Sequence, residues 1–137
     1  MPETAPDVLV VSHDIVGERM AGPGIRYLNL ARQLSGCFDV VLAAPLGSTL
    51  QQPEPFGFLV YEGAQDRELR DCAAHVAVVL LPSVWAANLV HDLPESVHIV
   101  VDGYDPVLIE AISLGMEDIS SLLSNLIQAY TSGDFFL

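Results

Sequence analysis

Lysine is missing from this sequence altogether, and arginine is scarce. Five basic residues face 18 aspartates and glutamates, a formal net charge of −13. A surface of that sign repels phosphate backbones and anionic headgroups, so this domain is not expected to bind nucleic acid. Docking on an acidic membrane through a basic face is disfavoured for the same reason. Cysteine is nearly absent as well. Cys37 and Cys72 share no CxxC spacing, and no zinc-ligand pattern joins them to the four histidines. Free buried thiols in a reducing compartment are the expectation. No apolar run approaches the roughly 20 residues of a membrane helix, and the acidic start lacks the basic region of a signal peptide. A cytoplasmic chain with no transmembrane segment is expected. P-loop, GxSxG and HExxH motifs are absent too.

What remains is a chain of 137 residues, 51% hydrophobic and only 17% charged. That is the size of one domain, long enough to bury about two-thirds of its unfolded surface. Strand-length apolar runs alternate with helically spaced segments. Residues 8–12 (VLVVS), 39–44 (DVVLAA), 56–61 (FGFLVY), 76–81 (VAVVLL) and 97–101 (VHIVV) read as strands, and 134–137 (DFFL) as a sixth. Helices are expected over 25–34, closed by Gly36, and over 66–72, 83–89 and 106–130. Pro45 and Pro82 are expected to end their strands. The alternation predicts an α/β, Rossmann-like three-layer domain. It has a mainly parallel sheet of about six strands with helices on both faces. The strand-like close, without a turn or polar tail, suggests one domain of a longer polypeptide.

Residues 12–27 follow the first strand and open the first helix. Ligands of open α/β sheets bind beyond the carboxyl ends of the strands. Glycine lets a backbone approach a phosphate there, and a helix N-terminus supplies N–H groups with positive partial charge. Gly22, Pro23 and Gly24 are thus candidates to cradle a diphosphate, with Arg26 reaching the anion. A plain βα turn, with glycines serving only the backbone, is the alternative. The dinucleotide fingerprint fails: Tyr27 stands where the third glycine belongs, and Ala43-Ala44-Pro45 replaces the ribose-binding carboxylate.

A second constellation, 102–106 (DGYDP), follows the fifth strand. Asp105-Pro106 fits a helix cap, whereas Asp102 and Tyr104 are candidates for binding a hydroxyl or moving a proton. His13 is a further candidate at the same sheet edge, beside Asp14, and equally suits a loop histidine bonding to backbone. His75 and His98, flanking or within strands, read as structural. Trp85 reads as core or interface rather than as a sugar platform.

The run VLVVSHDIVGERMAGPGIRYLNLARQLS, followed by FDVVLAAP, resembles the start of the N-terminal domain of GT-B fold, group 1 retaining glycosyltransferases. VVDGYDPVLIEA and GDFFL are similar to a subgroup of that family. The resemblance implies two Rossmann-like domains facing a cleft, with this chain as the acceptor-side half. It implies a nucleotide-sugar donor as substrate, no cofactor, an acceptor of unknown kind, and a further C-terminal domain that holds most of the donor. It assigns Gly22, Pro23, Gly24 and Arg26 to the donor diphosphate loop. Many members place a histidine where this chain has 102–105, so it assigns no catalytic residue there. The chain alone is then expected to be inactive. The alternative from another class is a stand-alone doubly wound nucleotide-binding or regulatory module. A receiver of that type needs an aspartate after the third strand and a lysine after the fifth, and neither is present.

Overall fold

A computed structural model of the chain describes residues 5–82 and 89–103. Five strands form one all-parallel sheet: β1 (Val8–Val11), β2 (Val40–Pro45), β3 (Gly57–Tyr61), β4 (Val78–Pro82) and β5 (His98–Asp102). Their spatial order is β3-β2-β1-β4-β5. Helix α1 (Gly22–Leu34) joins β1 to β2, and α2 (Arg67–His75) joins β3 to β4. A single 3-10 turn, Val90–Asp92, precedes β5. The protein is therefore Rossmann-like α/β. The proposed sixth strand, the helix at 106–130, all but the last residue of the helix at 83–89, Trp85 and Tyr104 lie outside the described residues.

β1 is central, and all four of its residues are buried. Successive strand side chains point to opposite faces. Leu9 and Val11 therefore join Leu69 and Ala73 of α2 in one core, while Val8 and Val10 join Tyr27, Leu28 and Ala31 of α1 in the other. Two cores with the sheet between them make the three layers. Asp7 binds the strand starts together. Its N–H donates to the Asp39 carbonyl (2.8 Å), its carbonyl accepts from Ala77 and Val78 (3.1 and 3.0 Å), and its carboxylate accepts the Asp39 N–H (2.9 Å).

Several boundaries differ from the sequence expectation. Pro45 and Pro82 belong to their strands, paired with Tyr61 and Asp102. Proline is accepted because the N–H it lacks would face the β1 side, where β1 pairing has already stopped at Ala43 and Leu80. α2 runs on to His75, which closes a helix rather than flanking a strand. Its ring Nδ1 lies 2.7 Å from the Asp71 carbonyl oxygen. Gly36 follows the C-cap Ser35 as expected, but without a positive φ. The chain leaves α1 through bonds from Cys37 and Phe38 to Leu34.

Candidate functional site

The sheet order reverses between β1 and β4, because α1 leads from β1 to one side and α2 crosses back to the other. In such sheets the carboxyl ends of the two strands flanking the reversal open a crevice. The turn after β1 is held firmly there. Ser12 is fully buried. Its hydroxyl donates to the Asp14 carbonyl (2.7 Å) and accepts the Asp14 N–H (3.2 Å), while its own N–H donates to Ala43 (2.8 Å). The Tyr61 phenol at the end of β3 donates to the Ser12 carbonyl. Burial raises the Tyr61 pKa, so the donor stays protonated. Farther along, the Val16 N–H donates to the Ser48 hydroxyl (3.0 Å) and its carbonyl accepts from Thr49 (2.8 Å). The loop after β1 thus rests on the loop after β2.

α1 starts three residues earlier than the apolar spacing indicates. Gly22, Pro23 and Gly24 are its first turn rather than the end of a loop. Pro23 is tolerated because first-turn N–H groups have no partner inside the helix. Gly24 has a steric reason: a Cβ there would stand 2.4 Å from the Ile15 carbonyl oxygen. Only glycine lets the helix lie so close to the preceding turn. Gly22 faces open space, with nothing within 4 Å of such a Cβ.

The two helix starts differ in charge and capping. At α2, Asp66 caps the helix by accepting from Leu69 (3.2 Å), and also accepts from Glu62 (3.0 Å). These backbone bonds, from Glu62 first and Leu69 second, hold its carboxyl below the usual range. At α1 the N-cap is Ala21, which makes no side-chain cap, and no acidic residue occupies the first turn. Helix geometry leaves the Gly22 and Gly24 N–H groups without an intrahelical partner; Gly22 is exposed, whereas Gly24 is buried.

Arg26 and Asp102 come together across the crevice. Arg26 Nε donates to Asp102 Oδ2 (2.7 Å) and Nη2 to Oδ1 (3.0 Å), a bidentate pair. The Asp102 side chain is 9% exposed and the Arg26 side chain 36%. Two residues that the sequence assigns to separate roles are one unit, joining α1 to the end of β5. His13 is half-buried, its ring edge-on to buried Tyr27 with centroids 6.0 Å apart at 76°. Sequence reasoning missed Ser48, Tyr61 and the pair Arg32–Glu54, whose partners come from other strands and loops and leave no local signal.

Among the described residues, no group of three or more His, Cys, Asp or Glu side chains could hold a metal ion. No described helix is long and apolar enough to cross a membrane. Both cysteines are free as expected, but Cys37 is exposed rather than buried because it lies in the turn leaving α1. Cys72 is half-buried, and burial raises its thiol pKa.

No protein-family model, no curated protein and no solved structure matches the chain.

Proposed function

We propose that the chain is the acceptor-side domain of a cytoplasmic glycosyltransferase with two Rossmann-like domains, which transfers a sugar from a nucleotide-sugar donor. The observation that carries this reading is the bare start of α1 at the switch point. In a chain with 18 acidic residues, none stands in this first turn, whereas α2 carries both Asp66 and Glu68 at its start. A helix N-terminus with unclaimed N–H groups favours an anion, and a diphosphate is the anion that a nucleotide sugar brings. In this reading Gly22 gives a phosphate open access and Pro23 presets the turn. Gly24 lets the turn pack closely, and Arg26, oriented by Asp102, stands beside them. In this reading His13 and Asp102 approach the sugar hydroxyls, Asp102 while paired with Arg26, and Tyr104 lies two residues on in the sequence. The acceptor and the rest of the donor are assigned to the cleft shared with a second domain.

The test is to titrate the purified chain with UDP-glucose, GDP-mannose and inorganic pyrophosphate while following the backbone amides by NMR. Weak binding that shifts Gly22 and Gly24, without glycosyl transfer, is expected. Robust transfer by the chain alone would sink the half-domain reading. Unmoved Gly22 and Gly24 amides would sink the diphosphate assignment.

A further inference from the structure

A pocket of about 160 Å³, partly open to solvent, lies between α1 and the segment joining β2 to β3. His13, Gly22, Arg26 and Asp102 do not line it. Its lining is of two kinds. Val16, Met20, Leu28 and Leu50 give it an aliphatic part. Thr49, Gln51, Gln52 and the ion pair Arg32–Glu54 give it a polar part.

The ion pair is the informative feature. The Glu54 side chain is only 4% exposed. Arg32 Nε donates to both of its oxygens (2.9 and 3.0 Å) and Nη2 to one (2.8 Å). The Arg32 hydrogen bond, foremost, holds the Glu54 carboxyl below its usual range. The pair is half-buried, with the Arg32 side chain 37% exposed, and such a pair is weak evidence for stability. What it provides here is a donor and an acceptor side by side. Gln52 also donates to the Glu54 carboxylate, so a ligand hydroxyl would share its oxygens with Arg32 and Gln52, while Arg32 Nη1 makes a 3.5 Å approach to Asn29. Neighbouring hydroxyls, each of which donates and accepts, match that arrangement.

Size and charge narrow the class further. In another protein, an engineered cavity of about 150 Å³ takes one benzene ring, so one six-membered ring is the right scale. An anionic ligand is disfavoured, because Glu54 neutralises Arg32, the only cation in the lining. A purely apolar ligand would leave the polar part unmatched.

We propose that this pocket is a binding site for one neutral pyranose sugar. The C–H face of the ring lies against Met20, Leu28 and Leu50. Its vicinal hydroxyls meet Arg32 and Glu54, with Thr49 and Gln51 at the rim. The proposal is independent of what binds at the ends of β1 and β4.

The test is an NMR titration of the isotopically labelled chain with the methyl pyranosides of glucose, mannose and galactose. Benzene and methyl phosphate serve as controls. At least one glycoside should give saturable shifts of the Leu28 and Leu50 methyls and the Gln51 side-chain amide, with Gly22 unmoved. Leu50→Trp, which fills the pocket, and Glu54→Gln, which removes the charge, should each weaken binding about tenfold or more. Should Glu54→Gln not fold, Leu50→Trp alone decides. The proposal is overturned if no glycoside gives saturable shifts or if a control binds more tightly than every glycoside. Binding that survives Leu50→Trp overturns it as well. Shifts confined to Gly22 and Gly24 would overturn the pocket while leaving the diphosphate reading standing.

Discussion

Arg26, in the second turn of α1, and Asp102, the last residue of β5, are 76 positions apart and meet through two hydrogen bonds of 2.7 and 3.0 Å. The contact spans the reversal of the sheet. It fixes how the first helix sits over the crevice and couples the two segments that carry most of the candidate site.

That coupling is measurable. Arg26→Ala and Asp102→Ala should each destabilise the chain by about 1–2 kcal/mol, between the values for exposed and fully buried pairs. The double variant should lose clearly less than their sum. Denaturant midpoints give the three numbers. Strict additivity would mean that the pair does not form in solution.

Gly22 and Gly24 should respond oppositely to the same change. Gly24→Ala pushes a methyl onto the Ile15 carbonyl and should cost about 1–3 kcal/mol, as overpacking does. Gly22→Ala meets open space and should be neutral or stabilising by about 0.5–1 kcal/mol, because alanine loses less backbone entropy. Equal effects would show that α1 does not start where it is placed.

The bare helix start links stability to binding. Ala21→Asp supplies a cap and a favourable charge, and should stabilise by roughly 0.5–2 kcal/mol. The same carboxylate occupies the amides proposed for a phosphate, so pyrophosphate binding should fall. A variant that is more stable and binds pyrophosphate undiminished would count against an anion site at α1.

Glu54 makes a prediction in pH. Its folded pKa is depressed by Arg32 below the ordinary 4.5. In that window the unfolded chain therefore binds more protons than the folded one. The stabilisation is fully present above the ordinary value and is lost as pH falls through the lower, folded one. Glu54→Gln should flatten this acid limb, read as denaturant midpoint against pH. An unchanged limb would show that the pair contributes nothing to acid stability.

Strands, their parallel packing and the two-faced core were legible in the sequence. VLVV, VVLL and HIVV are short runs rich in β-branched residues, and apolar runs of this kind fit the strands of a parallel sheet covered on both faces. Ends were less legible. Whether Pro45 and Pro82 lie in or out of a strand depends on whether a neighbouring strand still needs their N–H. Gly22 and Gly24 looked like loop because glycine is a poor helix former, yet the close approach of Ile15 makes glycine the residue that α1 requires.

The sequence by itself determined the α/β class, the anion-repelling charge and the place of the first βα turn, because these follow from composition and short-range period. Tertiary structure alone decided that Arg26 holds Asp102, that Tyr61 holds Ser12 and that Glu54 is buried under Arg32. Each of these contacts joins residues more than 20 positions apart. Hydrogen bonds act over about 3 Å, so which groups meet is set by how the sheet brings its strand ends together.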